Sequence, residues 1–299
     1  MEKIVDISEK TIINNIQFYS STPTIINDGN KYILVVRYVN YLIKYILNFR
    51  YINYLIGNRT RKYAYTINKY IEMDENFNIL SQSFFDYNLD DTNCFYNGIE
   101  DLKLFNNSGN SSDIYYIGTV CDNSKLNNNM FITTDKLDIT KKKKLDINLI
   151  YTKYNNKIEK NWVYLNYNNS NCLIYKWYPI QICNITNNML NVIEEKKNVP
   201  NFFKQLRGST NGYTFQDEIF FIAHLKHNSD YTDILLIFDT NMNLKKYSKF
   251  FRFGGTKVEF CLGLIVNQKQ IIISYSTNDN TSKIGIYNKK SFLNDLIEY

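Results

Sequence analysis

The chain has 299 residues, a mass of 35.5 kDa, a net charge of +6 and a mean hydropathy of −0.37. Hydrophobic residues at 44% and aromatics at 16% exclude a chain disordered throughout, and no run reaches the roughly 18 apolar residues of a membrane span. Four of the six excess charges sit in Lys141–Lys144, between Asp138 and Asp146, which reads as a solvated loop and not as the extended basic face that nucleic acid requires.

In chain order, period-2 signals dominate. The turn Asn27-Asp28-Gly29-Asn30 leads into Tyr32–Val39, rich in β-branched and aromatic residues. Asn106–Asn110 precedes a second strand, Asp113–Thr119. Val163–Leu165 and Cys172–Tyr175 flank a turn at Asn168–Asn171. Met189–Lys197 reads as one or two helical turns. Gly212-Tyr213 and Glu218–His224 flank Gln216-Asp217. Cys261–Val266 and Ile271–Tyr275 flank Asn267–Gln270, and Ser291–Leu296 reads as a short terminal helix capped by Ser291. Many short strands with polar turns and few helices predict an all-β fold in a single domain, residues 1–299, with a short C-terminal tail at about 288–299.

Five cysteines, at 94, 121, 172, 183 and 261, form no CxxC pair, and His224 and His227 are the only histidines. Zinc-type spacing is absent, so no metal and no cofactor are expected, and the thiols read as reduced and partly buried. Met1-Glu2-Lys3-Ile4 begins no apolar signal segment, which predicts a cytoplasmic protein. The 44 asparagines and abundant lysines look like the coding bias of an AT-rich genome, compatible with a viral source (host cytoplasm or virion), so neither is read as function.

The hairpins recur. With Arg37, Asp101, Trp162, Arg207 and Glu259 as markers, the spacings are 64, 61, 45 and 52 residues. A period near 50 with a hairpin in each unit is that of a propeller blade. The expected architecture is a five-bladed β-propeller of four-stranded antiparallel blades. In each unit a polar cluster precedes or opens an apolar strand: Arg37-Tyr38-Val39-Asn40-Tyr41, then Glu100–Phe105, Glu159-Lys160-Asn161-Trp162, Leu206–Thr210, and Val258–Gly263 followed by Tyr275 and Asp279. Inner strands converge on the axis, so the clusters are expected to meet at one mouth of the channel. Carboxylates, arginines and aromatics in one bowl suit a sugar.

These residues resemble the five-bladed propeller glycosidases, in particular glycoside hydrolase family 130, the mannoside phosphorylases and mannosidases, and the uncharacterised propeller domains attached to bacterial glycosyltransferases. The likeness spans about residues 20–290. Thr22-Pro23-Thr24-Ile25 stands where an Asn-Pro-Ser-Ile element is expected, and Arg37–Tyr41 matches Arg-x-x-Asn-Tyr. Glu100–Phe105 stands for Glu-Asp-Pro-Arg-Leu-Phe, with Leu102-Lys103 replacing Pro-Arg. Glu159–Trp162, Arg207–Ser209 and Glu259–Gly263 follow in order. The first unit offers no carboxylate in its motif, since Asp28 lies in the hairpin turn. That argues against a retaining hydrolase and fits a second substrate that brings the attacking group.

The resemblance implies an enzyme that hydrolyses, phosphorolyses or transfers a glycosidic bond, of mannoside type. Asp101 is the leading acid/base candidate, Glu259 the second carboxylate, and Glu100 a third. Arg37, Lys103 and Arg207 are expected to bind phosphate or a sugar phosphate. Asn40, Tyr41, Asn161, Trp162, Ser209, His224, Tyr275 and Asp279 complete the expected binding set. Crowded carboxylates are expected to push one pKa upward. The partner is a carbohydrate or sugar phosphate, with no nucleic acid and no membrane, for a monomer or weak oligomer. Two other readings stay open: a sugar-binding propeller without catalysis and a protein-interaction propeller.

Overall fold

The computed structural model describes residues 2–46, 49–57, 63–87, 89, 95–106, 113–121, 129–138, 145–154, 156–227 and 230–299. The Lys141–Lys144 run and Cys94 lie outside them.

Five antiparallel sheets form the blades of a propeller. Blade one orders its strands Lys10–Ile13, Ile16–Asp28, Lys31–Val39, Ala64–Asp74 and Ile79–Phe84. Blade two holds Glu100–Asn106, Ile114–Cys121, Met130–Lys136 and Leu149–Ile150. Blade three holds Val163–Tyr167, Ser170–Trp177, Ile180–Thr186 and Met189–Lys196. Blade four runs from Leu206–Gly208 through Glu218–His227 and Asp230–Asp239 to Leu244–Tyr247. Blade five holds Glu259–Val266, Gln270–Thr277 and Lys283–Asn288, and takes its outermost strand, Lys3–Asp6, from the other end of the chain. The C-terminal Ile297–Glu298 adds to the outer edge of blade four.

The expected hairpins are present. Asp28 pairs with Lys31 across a turn in which Gly29 has φ +66°, a conformation that costs glycine little. Asn168 and Asn169, at φ 51° and 58°, make the tight turn of blade three, where asparagine tolerates the left-handed region. Two expectations fail. Met189–Lys196 is a strand paired with Ile180–Thr186, its exposed and covered residues alternating as on an outer edge. The terminal helix is Lys289–Phe292, capped by the Asn288 side chain, which accepts from the Ser291 N–H.

Alternation explains why the strands read as nearly unbroken apolar runs. In Glu218–His227, Ile219, Phe221 and Ala223 pack toward blade three, whereas Phe220 and Ile222 pack toward blade five. In Lys31–Val39, Leu34, Val36 and Tyr38 face blade five, and Ile33 and Val35 face blade two. Successive side chains point to opposite faces, and in a propeller both faces are buried by neighbouring blades. One apolar cluster fills each of the five blade interfaces, the second to third being closed by Phe105 stacked on Tyr164 at 4.0 Å.

The cysteines depart in part from the all-reduced expectation. Cys172, Cys183 and Cys261 are free and buried, and Cys121 is disulfide-bonded. Among the described residues no helix is long and apolar enough to cross a membrane, and no group of three His, Cys, Asp or Glu is placed to hold a metal ion.

Candidate active site

Near the axis the inner strands crowd together, and glycine marks the contacts. A Cβ on Gly263 would lie 2.5 Å from the Ile25 backbone nitrogen, and one on Gly208 would lie 2.6 Å from the Asn161 carbonyl oxygen. These motif glycines serve blade packing.

At one end of the axis lies a cavity of about 470 Å³. Blade two supplies Glu100 and Asp101 from the start of its innermost strand, where the ladder skips between Glu100 and Lys103. This bulge, with Asp101 at φ 49°, re-aims the Asp101 side chain. Blade three supplies Asn161, also left-handed at φ 63°, just ahead of its first strand. Arg207 comes from the innermost strand of blade four, His224 and Lys226 from the next, and Asp279 from a turn of blade five. Arg37 comes from Lys31–Val39 of blade one, the strand paired with Ile16–Asp28, which takes the axial position.

Arg37 organises the floor. Its side chain is 6% exposed, with Nη1 2.8 Å from Asp101 Oδ1 and Nη2 3.2 Å from Glu100 Oε1. Nη2 also reaches the Tyr41 hydroxyl at 3.4 Å, and that hydroxyl donates to Asp279 Oδ2 at 3.2 Å. Lys160 Nζ holds the other Glu100 oxygen at 3.2 Å. Burial disfavours the Arg37 charge, but Tyr41, Glu100, Asp101 and Asp279 outweigh it and raise its pKa. Burial likewise works against ionised Asp101, yet Arg37, Lys160 and Lys103 hold its pKa below the usual value. The expected upward push does not fall on Asp101, which cations surround; the carboxylate raised well above its usual value is Asp233, by burial and then by the neighbouring Glu259 charge.

His224 is buried, accepts or donates a 2.8 Å hydrogen bond with Ser209 Oγ, and packs on Tyr231 and Phe260. Burial, then Arg207 and Lys103, depress its pKa to about 3, so it faces the cavity as a neutral ring. Arg207 is exposed and has no carboxylate partner among the described residues.

Of the residues expected from sequence, the cavity gathers Arg37, Tyr41, Glu100, Asp101, Asn161, Arg207, His224 and Asp279. The others lie elsewhere. Glu259 is fully buried, and its carboxylate accepts the backbone N–H groups of Phe253, Gly254 at 2.9 Å and Thr256 at 2.7 Å, anchoring the loop before its own strand. Lys103, 3% exposed, donates to the Trp162 carbonyl at 3.2 Å, and burial lowers its pKa to about 8. Trp162 is core, its indole N–H donating to Glu159 Oε2 at 3.3 Å. Asn40 ties the Leu55 and Tyr63 carbonyls to the Tyr65 N–H. Ser209 touches the cavity only through His224, and Tyr275 stacks on Phe253 inside blade five.

Sequence reasoning missed the upper wall. The hairpin Tyr41–Ile46 with Phe49–Tyr54, an insertion between two strands of blade one, contributes Tyr51, Ile52 and Tyr54, and Tyr96, Tyr231 and Phe260 add further aromatic surface. Its signal was available in the alternation of Tyr51-Ile52-Asn53-Tyr54. Lys160 was within a recognised motif, and Lys226 continues the period-2 line from His224.

No protein-family model and no curated protein sequence matches the chain. Solved structures do share the fold. A β-1,2-mannobiose phosphorylase from Listeria innocua, solved with β-1,2-mannobiose, superposes with a TM-score of 0.65 at 10% identity, covering 98% of this chain and 99% of that one. A glycosidase-like protein from Bacteroides thetaiotaomicron gives a TM-score of 0.63 at 10% identity over 90% of this chain and 87% of its own. A mannose phosphorylase from Leishmania mexicana, solved with phosphate, gives 0.56 at 8% identity over 94% and 87%. The chain is thus similar in fold to mannoside phosphorylases and glycosidases of the five-bladed propeller type.

Proposed function

We propose that the protein is a carbohydrate-active propeller whose cavity binds a mannoside-type sugar and cleaves its glycosidic bond with inorganic phosphate as the attacking group. The observation that carries this reading is the charge arrangement around Asp101. It is a partly accessible carboxylate in a cavity that also presents Arg37, Lys160, Arg207 and Lys226, while Glu259, the expected second carboxylate, is consumed by a loop. Hydrolysis needs a second carboxylate to activate water or to act as nucleophile, and the two others in the cavity are engaged, Glu100 by Arg37 and Lys160 and Asp279 by the Tyr41 hydroxyl. Phosphorolysis needs one proton carrier and a cationic seat for the phosphate, which arginine's donor fork suits. In this scheme a phosphate oxygen bonds to the anomeric carbon, the glycosidic C–O bond breaks, and Asp101 supplies the proton to the leaving oxygen. Bound phosphate would offset the cations that hold Asp101 ionised, raising its pKa when the proton is needed. Tyr51, Tyr54 and Tyr96 supply flat faces for pyranose C–H surfaces.

The same facts favour a second reading, a sugar-binding propeller without chemistry, because Glu100 and Asp101 are both engaged in ion pairs. The test is incubation with β-1,2-mannobiose with and without inorganic phosphate, analysed for mannose 1-phosphate and mannose, alongside Asp101→Asn. Phosphate-dependent product that disappears in the variant supports the enzyme. Calorimetric binding without product selects the binding module, and absence of both defeats the carbohydrate reading.

A further inference from the structure

A groove of about 550 Å³ runs outward between blades three and four and shares Lys160, Asn161 and Arg207 with the cavity. Its walls come from the strand Ser170–Trp177, the turn that follows it, and the 3-10 turn Asn201–Gln205 ahead of the innermost strand of blade four. Two features set it apart from an ordinary crevice between blades.

The first is its charge. Lys160, Lys176, Lys204 and Arg207 line it, and Lys176, Lys204 and Arg207 have no carboxylate partner among the described residues. Its one acid, Glu159, is buried and already accepts from Thr152, Asn156, Tyr175 and the Trp162 indole. The second is its flat aromatic surface. Tyr175 lines it, backed by Tyr154 with ring centroids 5.3 Å apart, and Lys176 Nζ stands 5.4 Å from the Tyr175 centroid. Tyr178, 37% exposed, carries Lys204 Nζ at 4.8 Å from its ring centroid. An ammonium resting on a ring face keeps donors free for an acceptor on its other side. Rings with adjacent unpaired cations match a glycan that bears acidic groups: C–H faces pack on the rings, and anionic oxygens meet the cations.

We infer that this groove is a second binding site, an outward extension of the cavity that takes the acidic portion of an oligosaccharide whose terminal sugar sits over Asp101. The inference rests on the proposed sugar site and adds the substrate class: an anionic oligosaccharide in place of a neutral disaccharide. A phosphorylated chain and a uronate-bearing chain share this chemistry.

The test measures calorimetric affinity for β-1,2-mannobiose, a neutral mannan oligosaccharide, the same oligosaccharide carrying a phosphomonoester, and an oligogalacturonide. It uses the wild type and the double variant Lys176→Glu/Lys204→Glu, with folding checked by near-UV circular dichroism. Wild type is expected to prefer an acidic chain over the neutral one by about tenfold or more, with the preference shrinking as salt rises. The double variant is expected to lose that preference while its mannobiose affinity stays within about twofold, since neither lysine lines the cavity. Whichever acidic chain binds better identifies the source of the charge. Equal wild-type affinity for neutral and acidic chains overturns the inference, as does an unchanged preference in the folded double variant. Equally tight binding of a polyglutamate peptide of matched charge would also overturn it, because the groove would then read charge alone. If mannobiose fails to bind but an acidic chain still binds in a lysine-dependent manner, the cavity reading falls and the groove stands.

Discussion

Replacing Arg37 by Met tests whether one guanidinium organises the cavity floor. Its side chain is 6% exposed and lies 2.8 Å from Asp101 and 3.2 Å from Glu100. Breaking a buried ion pair by removing one partner costs about 3–5 kcal/mol, because the other charge is left without compensation. Two carboxylates lose their cation here, but Lys160 still holds Glu100 at 3.2 Å, which places the expected loss near 3–4 kcal/mol at pH 7. The sign with pH follows from Asp101. In the wild type its folded pKa is lowered, so its contribution is present above the unfolded carboxylate value of about 3.9 and is lost as pH falls through the lowered folded value. In the variant only Lys160 and Lys103 still oppose burial, so the folded pKa rises and protonation relieves the strain. The stability gap between the two proteins should therefore narrow as pH drops from about 7 toward 4. Urea unfolding at a series of pH values measures it. A gap below about 1 kcal/mol at pH 7, or one that does not change with pH, would refute the reasoning.

Glu259→Gln keeps the shape and one acceptor oxygen but loses the charge that gathers the Phe253, Gly254 and Thr256 N–H groups. It should cost about 1.5–3 kcal/mol in urea unfolding and speed proteolysis near residues 253–256, while leaving mannoside affinity unchanged; a loss of affinity with intact stability would return Glu259 to the binding set. Trp162→Ala should destabilise by about 3–5 kcal/mol through the cavity it leaves between blades two and three, again without changing the dissociation constant of a bound sugar in the folded fraction.

The order of the motifs was legible because a propeller repeats one local grammar, and repetition survives where individual residues have drifted. The strands were legible for the same reason: Glu218–His227 and Lys31–Val39 are apolar on both faces, since each blade is covered on both sides. Met189–Lys196 was misread because an outer strand alternates charged and apolar residues loosely, and Glu194, Glu195 and Lys196 are good helix formers. Pairing with Ile180–Thr186 overrides that propensity.

The candidate site was legible only by motif and not by atom. Within Glu100–Lys103, the bulge sends Glu100 and Asp101 to the cavity and Lys103 to the Trp162 carbonyl, although all three are polar neighbours in sequence. Glu259, expected as the second carboxylate, and Asp279, expected only in the binding set, both belong to blade five, yet a loop closes on the first and the cavity opens on the second.

What the sequence determined by itself was the all-β class, the fivefold repeat and the pool of polar residues near the axis, because strand periodicity and turn chemistry are local. The tertiary structure alone decided the rest. It placed Lys3–Asp6 in blade five, laid the Tyr41–Tyr54 hairpin over the cavity, and set four cations along a groove between blades three and four. These depend on which blade meets which, and on where a bulge or a loop turns a side chain, and no window of neighbouring residues encodes that.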